Sequence, residues 1–301
     1  MIYTVTCNPA IDYTVRLDDP LCRGTINRNA EESMQFGGKG INVSAVLTAL
    51  GQKTVALGFI AGFTGEGLEN GLRSQGIPTD FIPVKEGFTR INVKVKEDRE
   101  TEINGIGPKI TEEDMEQLYE KLSHLQPDDV LVLSGSLPGC LGSDTYEKIL
   151  SRVREPGVLT VVDATGELLR KCLPYKPFLI KPNRQELEAL FEKPLNTEEQ
   201  LLESGEALQQ LGARNVLISL AGDGAVLLDE NGKIHRMGCP RGSVVNSVGA
   251  GDSMVAGFLA GYLETGDYDY ALKLGTAAGS ATAFSVGMAD KDAIMNLLRQ
   301  L

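Results

Sequence analysis

Near the carboxyl-terminal end of the chain, an aspartate follows a glycine-rich turn at the predicted start of a helix. The run is Asn246-Ser-Val-Gly-Ala-Gly-Asp-Ser253, and small and apolar residues follow it over 254–261. The first N–H groups of a helix lack intrahelical acceptors, so an anion there meets free donors and the positive end of the helix dipole. Asp252 can accept a proton at the same place. Free amides beside a base indicate phosphoryl transfer; the alternative is a plain helix start that Asp252 caps.

A second glycine-rich turn precedes a predicted helix near the N-terminus. Gly37-Gly38-Lys39-Gly40-Ile41-Asn42 is followed by apolar residues at helical spacing. The loop offers close backbone, a cation and an amide, a set that suits a hydroxyl-rich or phosphorylated ligand. The alternative is a plain glycine turn. The chain has neither a Gly-x4-Gly-Lys-Ser/Thr loop nor a Gly-x-Gly-x-x-Gly motif, and the lack of the latter argues against a dinucleotide-dependent oxidoreductase.

Two further stretches carry candidate carboxylates. Asp12 comes just past a predicted core strand over 2–6, where ligands bind in α/β sheets; the alternative is a turn residue. Asn183 and Glu186 are three residues apart at a predicted helix start, so they share one helical face. That spacing suits a carboxylate over a metal–phosphate group. It suits a helix capping box as well, and this short window by itself favours the capping box.

Composition and charge exclude several classes of function. The 301 residues carry 41 acidic and 29 basic side chains, a formal net charge of -12, which argues against a nucleic-acid or anionic-membrane surface. Only two histidines are present, which argues against a histidine-based metal site. Five scattered cysteines without a Cys-x-x-Cys pair are typical of reduced thiols. The chain shows no signal-peptide pattern and no long apolar run, so we expect a cytoplasmic protein.

Short apolar strands alternate with amphipathic helices along most of the chain, which is typical of an α/β fold. Four stretches, at about 11–17, 30–36, 89–97 and 100–106, instead alternate between polar and apolar residues, as half-exposed strands do. We expect these four strands to form a small separate sheet, a lid over the site. The last two form a predicted hairpin with its turn at 97–99. Other predicted elements are helices over 111–124, 143–153, 197–211 and 271–284, and a hairpin around Asn231-Gly232.

Three of these motifs, in this order, resemble the signatures of the PfkB (ribokinase-like) sugar kinase family. They are the loop at 37–42, Asn183-x-x-Glu186 and the run at 246–253, and the likeness covers essentially the whole chain. It implies an α/β, ribokinase-like three-layer α/β/α sandwich with a small inserted β-sheet lid, as one domain over 1–301. It also implies ATP as phosphoryl donor with Mg²⁺, and a homodimer formed through the lid.

The resemblance also assigns roles to individual residues. Asp252 would be the general base, and the backbone at Gly249, Ala250 and Gly251 would form an anion hole with it. Substrate-binding residues would be Gly37, together with Asp12, Gly38 and Asn42 for hydroxyl groups and Lys39, Arg90, Arg28 and Ser136 for an existing phosphate. Residues for ATP and Mg²⁺ would be Lys181, Asn183 and Glu186, the last holding the metal through water. Residues lining the nucleotide would be Ser219, Gly222, Gly224, Ser253, Gly279 and Ser280.

Within the family, three stretches look most like members that phosphorylate fructose 1-phosphate: 4–12, 89–94 and 101–107. Members that act on tagatose 6-phosphate are similar there, and fructose 6-phosphate is a further alternative. A phosphorylated ketohexose is favoured over an unphosphorylated sugar because Lys39 and Arg90 are cations at the far end from ATP, and a buried dianion is costly without them. The alternative from another class is a non-catalytic sugar-phosphate sensor, against which the intact Asp252 argues.

Overall fold

The computed structural model describes residues 1–97, 100–153 and 156–301. The strands in this part of the chain are β1 (Ile2–Thr6), β2 (Ala10–Arg16), β3 (Glu31–Gly37), β4 (Thr54–Ala61), β5 (Ile82–Val84), β6 (Arg90–Lys96), β7 (Glu100–Ile103), β8 (Val130–Ser134), β9 (Leu159–Asp163), β10 (Leu179–Ile180), β11 (Asn215–Ser219), β12 (Ala225–Leu228) and β13 (Ile234–Met237). The α-helices are α1 (Lys39–Ala49), α2 (Gly62–Ser74), α3 (Glu112–Leu122), α4 (Thr145–Leu150), α5 (Gly166–Cys172), α6 (Arg184–Phe191), α7 (Glu198–Gln210), α8 (Ala250–Thr265), α9 (Tyr268–Ala283) and α10 (Lys291–Leu298).

The larger sheet has the strand order β13-β12-β11-β10-β9-β8-β1-β4-β5. Its strands from β11 to β5 run parallel, and β12 and β13 add an antiparallel hairpin at one edge, as Asn231-Gly232 predicts. The order reverses at β1, which has β4 on one side and β8 on the other. Loops leave this point in opposite directions, so a crevice opens beyond the carboxyl ends of β1 and β8.

Helices cover both faces of the larger sheet. Apolar side chains of α3 to α7 form one cluster with the sheet, and those of α1, α8, α9 and α10 form another with its opposite face. Burial on both faces explains why four consecutive residues of β8, from Val130 to Leu133, are apolar instead of alternating with polar ones. The predicted three-layer α/β/α sandwich is confirmed. None of the described helices has the length and apolarity that crossing a membrane requires.

The smaller sheet has the order β3-β2-β6-β7. β2 pairs with β3 in antiparallel and with β6 in parallel fashion, and β6 and β7 form an antiparallel hairpin. Asp12 lies inside β2, so its interpretation as a turn residue is wrong. β7 ends at Ile103, earlier than the sequence predicts. Of the turn predicted at 97–99, residues 98 and 99 lie outside the described residues, and the assignment of 1–301 to a single domain stays a prediction.

Helix ends differ from the predictions where local hydrogen bonds intervene. The helix predicted over 143–153 is only α4, because Thr145 N donates to Gly142 O in a preceding turn and Ser151 is the C-cap. The sequence indicates no helix at α5, which has only seven residues. Where the caps are standard the predictions hold: Thr111 and Thr197 start α3 and α7 with capping boxes.

Candidate active site

The two glycine-rich turns meet at the carboxyl ends of the central strands. Asn42 in the first turns of α1 donates from its Nδ2 to Oδ2 of Asp252 at 2.8 Å, although the two residues are 210 positions apart. The Asp252 side chain is buried in the first turn of α8. A carboxylate that receives one hydrogen bond and is shielded from water can accept a proton from a bound ligand.

The N-terminus of α8 has no side-chain cap. Its N-cap residue is Gly249, held at φ 79° in the left-handed region that glycine adopts without strain. Ala250 N donates to Ser247 O, whereas the N–H groups of Gly251 and Asp252 have no protein acceptor in the part of the chain that the structure describes. The interpretation of Asp252 as a capping residue is therefore wrong. Two free amides at a helix start form a site for an anion.

Burial changes the acidity of Asp252. Removal from water raises the pKa of its carboxyl group to about 6, and the negative charge of Asp163 adds to this effect. The charges of Lys39 and Lys181 and the hydrogen bond from Asn42 act in the opposite direction. An aspartate with a pKa of this size is a stronger base than an exposed one and is still largely ionised near neutral pH.

One buried carboxylate holds two lysines beside this helix start. Asp163, at the end of β9, is 1% exposed; its Oδ2 lies 3.3 Å from Lys39 Nζ and its Oδ1 lies 3.5 Å from Lys181 Nζ. Ser134 Oγ also donates to Oδ2 at 3.3 Å. The Lys181 contact is an ion pair without hydrogen-bond geometry. A Cβ placed on Gly251 would lie 3.0 Å from Lys181 Nζ, so this ammonium borders the first turn of α8.

The charges in this cluster keep each other ionised. Burial acts to raise the pKa of Asp163, but Lys181 and Lys39 outweigh it and the pKa is lowered. Burial acts to lower the pKa of Lys39, but the carboxylates of Asp163, Asp252 and Glu186 outweigh it and the pKa is raised. The cluster is therefore an arrangement of full charges that exists before any phosphate binds.

Sequence motifs do not identify Asp163 as a site residue. The available signal is its position: it ends a buried apolar strand whose neighbours in the sheet end in Ser134 and immediately before Lys181. Because parallel strands end at the same edge, polar residues at three adjacent ends must come together. The strand order, which the sequence does not reveal, is what makes this signal useful.

The smaller sheet contributes Asp12 and Arg90. Asn92 Nδ2 donates to Asp12 Oδ1 at 2.8 Å, and Lys94 Nζ lies 3.7 Å from Asp12 Oδ2. Arg90 Nε donates to the main-chain oxygen of Asn8 at 3.1 Å. Burial lowers the pKa of Arg90, and the charge of Asp12 acts in the opposite direction. The bond from Nε to this neutral carbonyl leaves the two terminal nitrogens of the guanidinium group for an anion.

A cavity of about 460 Å³ joins the two sheets. Four predicted substrate residues line it: Gly38, Lys39, Arg90 and Ser136. Its other polar lining comes from Thr6, Asn8, Ser143, Asp163 and Thr165. Arg28 is exposed between β2 and β3 and does not line this cavity.

A larger cavity of about 620 Å³ along α3 contains none of the predicted site residues, so we do not associate it with the chemistry.

Asn183 and Glu186 form the capping box of α6. Asn183 Oδ1 accepts from Glu186 N, and Glu186 Oε2 accepts from Asn183 N, both at 2.8 Å. The alternative interpretation of Asn183 and Glu186 as a helix capping box is therefore confirmed. Within the described residues, no group of three or more His, Cys, Asp or Glu side chains could hold a metal ion. The oxygen donors of Asn183 and Glu186 fit Mg²⁺ that arrives with a nucleotide, because Mg²⁺ keeps most of its waters and takes few protein ligands.

The remaining predicted nucleotide residues fall into two places. Ser219 ends β11, and Gly222 and Gly224 lie in the following turn, at the same end of the sheet as Asp163. Ser253, Gly279 and Ser280 lie instead where α8 and α9 pack together. Ser253 Oγ is 2.7 Å from the Thr282 hydroxyl, and a Cβ on Gly279 would lie 3.0 Å from an α8 carbonyl. Ser280 Oγ is 3.4 Å from Cys239 Sγ.

We predict that Asp163→Asn lowers the free energy of unfolding at neutral pH by about 3 kcal/mol, because Lys181 then stays buried without its counter-charge. Urea denaturation measures this. The depressed pKa of Asp163 means that the wild-type advantage is present above the ordinary aspartate pKa and disappears as pH falls through the lower, folded-state value. Asp144→Asn, which removes an exposed ion pair, is the control and should change little. Equal effects of both substitutions would contradict the argument.

Comparison with known proteins agrees with this geometry. The sequence profile described as pfkB family carbohydrate kinase matches residues 3–293. The chain is 44% identical to a 1-phosphofructokinase of Bacillus subtilis (strain 168), with 100% of this chain and 98% of that protein covered. It is 41% identical to a D-tagatose-1-phosphate kinase of Bacillus licheniformis, with 96% and 95% covered.

A solved structure gives the same result at the level of the fold. The crystal structure of phosphofructokinase-2 from Escherichia coli in complex with fructose-6-phosphate has a TM-score of 0.91 and 27% identity to this chain, covering 99% of it and 98% of the other chain. The profile match and the full-length relatives confirm the resemblance that the three motifs indicate. The chain belongs to the pfkB family of carbohydrate kinases.

Proposed function

We propose that the protein transfers the terminal phosphoryl group of ATP to D-fructose 1-phosphate and forms D-fructose 1,6-bisphosphate and ADP. The observation that carries the proposal is a buried carboxylate, Asp252, beside two free amides. Asp252 is hydrogen-bonded to Asn42 of α1, and the first residue of this helix, Lys39, lines a cavity together with Arg90. Full-length relatives with the name 1-phosphofructokinase support the choice of sugar.

Asp252 is the base in this proposal. The hydroxyl group of the sugar that attacks the phosphorus must lose its proton, and Asp252 Oδ1 carries no hydrogen bond from the described residues that would block this. Asn42 holds the other oxygen and so fixes the direction of the carboxylate. The raised pKa improves proton transfer, because a base is most effective when its pKa is close to the working pH.

The start of α8 stabilises the transferring phosphoryl group. Charge accumulates on its equatorial oxygens, and catalysis of phosphoryl transfer is mainly positioning and electrostatic stabilisation. The free N–H groups of Gly251 and Asp252 and the ammonium of Lys181 provide both. Gly249 contributes the turn, and Ala250 contributes backbone whose own N–H is already bonded to Ser247.

Mg²⁺ bound with ATP supplies charge neutralisation on the phosphate groups. Asn183 and Glu186 are the residues that would hold it. Glu186 Oε2 caps α6, so the carboxylate is fixed in place and suited to binding the hydrated ion through water. Ser219 and the turn with Gly222 and Gly224 would line the nucleotide beside it, and Gly279 and Ser280 would support this site from the α8–α9 contact.

The acceptor is a sugar that already carries a phosphate. Lys39, Arg90 and Ser136 line one cavity, and a phosphate dianion there gains charge-assisted hydrogen bonds that an unphosphorylated sugar cannot use. Asp12, Gly37, Gly38 and Asn42 bind hydroxyl groups, and Gly38 lines the same cavity as the two cations. The smaller sheet acts as the lid that excludes water from the transfer, which limits hydrolysis of ATP.

An ADP-release assay coupled to oxidation of NADH tests the proposal. The panel contains fructose 1-phosphate, fructose 6-phosphate, tagatose 6-phosphate, tagatose 1-phosphate and ribose. Tagatose 1-phosphate is the second candidate, because a relative with 41% identity is named for it. We expect the highest kcat/KM for fructose 1-phosphate. Preference for another sugar phosphate would reassign the substrate, and ADP release with none of them would favour the sugar-phosphate sensor.

Asp252→Asn should lower kcat by about a thousandfold, because the amide cannot accept the proton. The KM for the sugar phosphate should change little, since Asn42 can still bond the side-chain oxygen. Asp114→Asn is a matched control: Asp114 also lies buried at the third position of a helix, α3, but far from the cavity. Steady-state kinetics of both variants measure the difference, and near-normal turnover of Asp252→Asn would refute its role as base.

The pH dependence of kcat/KM should report the same carboxylate. Because Asp252 must be ionised to act as base, kcat/KM should fall about tenfold per pH unit below about pH 6. The loss occurs on the acidic side because protonation removes the base. A profile that stays flat down to the ordinary aspartate value of about 3.9 would show that Asp252 is not the titrating base.

We also propose a homodimer through the outer face of the smaller sheet. The pairing register places Met34, Tyr13, Val93 and Ile103 in one row across all four strands, on the face opposite Asp12. Met34 is 58% exposed and Ile103 is 63% exposed. Sheet edges and apolar faces of this kind are typical of subunit contacts.

Sedimentation equilibrium should give twice the chain mass of 32.4 kDa for the wild-type protein and the single-chain mass for Ile103→Glu. The charged side chain would be buried without a partner in the contact. Leu211→Glu, an exposed position at the end of α7, is the control and should leave the mass unchanged. A wild-type protein that sediments as a single chain would contradict the dimer.

A further inference from the structure

The inner face of the smaller sheet carries a row of polar side chains, of which Asn92 and Lys94 have no role in the sequence motifs. Alternation along β6 puts Arg90, Asn92 and Lys94 on one face, and the register places Asn92 directly beside Asp12 of β2. Asn92 is buried, and the Lys94 side chain is only 12% exposed. Polar groups this deeply placed need partners, so their contacts show what they are arranged to do.

Asn92 fixes the orientation of Asp12. Its Oδ1 accepts from Gly105 N at 3.2 Å, which determines which end of the amide is the donor. Its Nδ2 therefore points to Asp12 and donates to Oδ1 at 2.8 Å. One oxygen of Asp12 is occupied by this bond. The other, Oδ2, is the oxygen left for a ligand.

Asp12 Oδ2 lies between a glycine and an ammonium group. A Cβ on Gly37 would come within 3.3 Å of Oδ2. The space beside this oxygen is therefore open because residue 37 has no side chain. Lys94 Nζ lies 3.7 Å from Oδ2 and 3.9 Å from Glu102 Oε1. Both distances exceed hydrogen-bond length. Lys94 thus has its charge balanced, but its N–H donors have no hydrogen-bond acceptor in the part of the chain that the structure describes.

We propose that Lys94 is a specificity residue that, together with Asp12, binds one hydroxyl group of the ketohexose. The hydroxyl oxygen accepts a hydrogen bond from Lys94 Nζ, and its proton is donated to Asp12 Oδ2. A hydroxyl group is donor and acceptor at once, and this pair offers one partner for each function. The inference rests on the proposed function, which identifies the acceptor as a sugar phosphate.

The charges around Lys94 favour a neutral ligand group over a phosphate. Two carboxylates, from Asp12 and Glu102, lie within 4 Å of its single positive charge. A phosphate dianion at this place would face net negative charge, whereas a hydroxyl group would not. Arg90, by contrast, bonds the neutral oxygen of Asn8 through Nε and lines the cavity with Lys39. The phosphate and the hydroxyl group therefore have separate binding places.

Loss of the hydroxyl group should be costly. A site built to bond a hydroxyl rejects an analogue without it strongly, because its own buried polar groups are then left without partners. In this protein those groups are Asp12 Oδ2 and Lys94 Nζ. The energetic penalty for a deoxy substrate must therefore depend on whether Lys94 is present, which distinguishes direct recognition from a structural role of the lysine.

The test compares Lys94→Met with Lys96→Met in the ADP-release assay. Met keeps the length of the side chain and removes the charge. Lys96 is a matched control on the same strand, because it also pairs with a glutamate, Glu100 at 3.6 Å, but is 43% exposed. We expect Lys94→Met to raise the KM for the sugar phosphate by about tenfold to a hundredfold and to leave the KM for ATP unchanged. Wild-type values for Lys94→Met would overturn the inference.

Deoxy analogues of fructose 1-phosphate, each lacking one hydroxyl group, provide a second measurement. For one of them, the loss of kcat/KM that wild type shows should be clearly smaller in Lys94→Met, where only the bond to Asp12 remains to be lost. Equal losses in both proteins for every analogue would overturn the inference. Lys94→Gln, which keeps a donor, should recover part of the affinity. Calorimetric titration with fructose 1-phosphate repeats the comparison without turnover.

An inactive wild-type protein would contradict the proposed function. An unchanged affinity of Lys94→Met for fructose 1-phosphate would contradict only this inference.

Discussion

The ion pairs of Asp163 with Lys39 and Lys181 are the interaction on which the rest of the site depends. A site for phosphate groups needs cations in a place from which water can be excluded, yet an isolated buried ammonium tends to lose its proton. Asp163 raises the pKa of Lys39, and Lys181 and Lys39 in turn lower the pKa of Asp163 although it is 1% exposed. The same negative charge contributes to the raised pKa of Asp252. One carboxylate thereby affects the cations and the base together.

Strand order is what brings these groups to one point. The strand order reverses at β1, so the turns before α1 and α8 and the ends of β8, β9 and β10 all open into the same crevice. Contacts across it join residues that are distant in sequence: Lys39 and Asp163 are 124 positions apart. The smaller sheet adds Asp12 and Arg90 from the other side. The site is thus a property of the topology, and no single motif contains it.

The sequence is sufficient to predict the residues whose role depends on local backbone. The helix starts at Thr111, Thr197 and Asn183 follow from capping chemistry within four residues, and the structure has them. The turn at 246–253 is also local, although the sequence does not show whether Asp252 caps its own helix. In the structure Gly249 is the N-cap residue, and Asp252 instead accepts a hydrogen bond from Asn42, a contact that is long-range.

Residues whose role depends on long-range pairing could not be predicted. Asp163 has no distinguishing neighbour in sequence, and its two lysines come from α1 and from the end of β10. Asn92 and Lys94 belong to a strand whose alternation is evident, but alternation does not show which face is turned to the site. The parallel pairing of β2 with β6 settles that, by placing Asn92 beside Asp12. The short helix α5 escaped prediction because seven residues carry too little periodicity.

Differences in charge compensation explain how one site can hold a sugar phosphate in a single orientation. Lys94 has two carboxylates within 4 Å and Lys39 has one, whereas Arg90 bonds a neutral carbonyl. The positive charge that no nearby carboxylate balances therefore increases from Lys94 through Lys39 to Arg90. A phosphate dianion is attracted most strongly to Arg90. In the proposed function, the hydroxyl groups are then left to Asp12 and Lys94, and the end of the sugar farthest from its phosphate is left to Asp252. Reversed binding would place the dianion against carboxylates, so orientation follows from repulsion as much as from attraction.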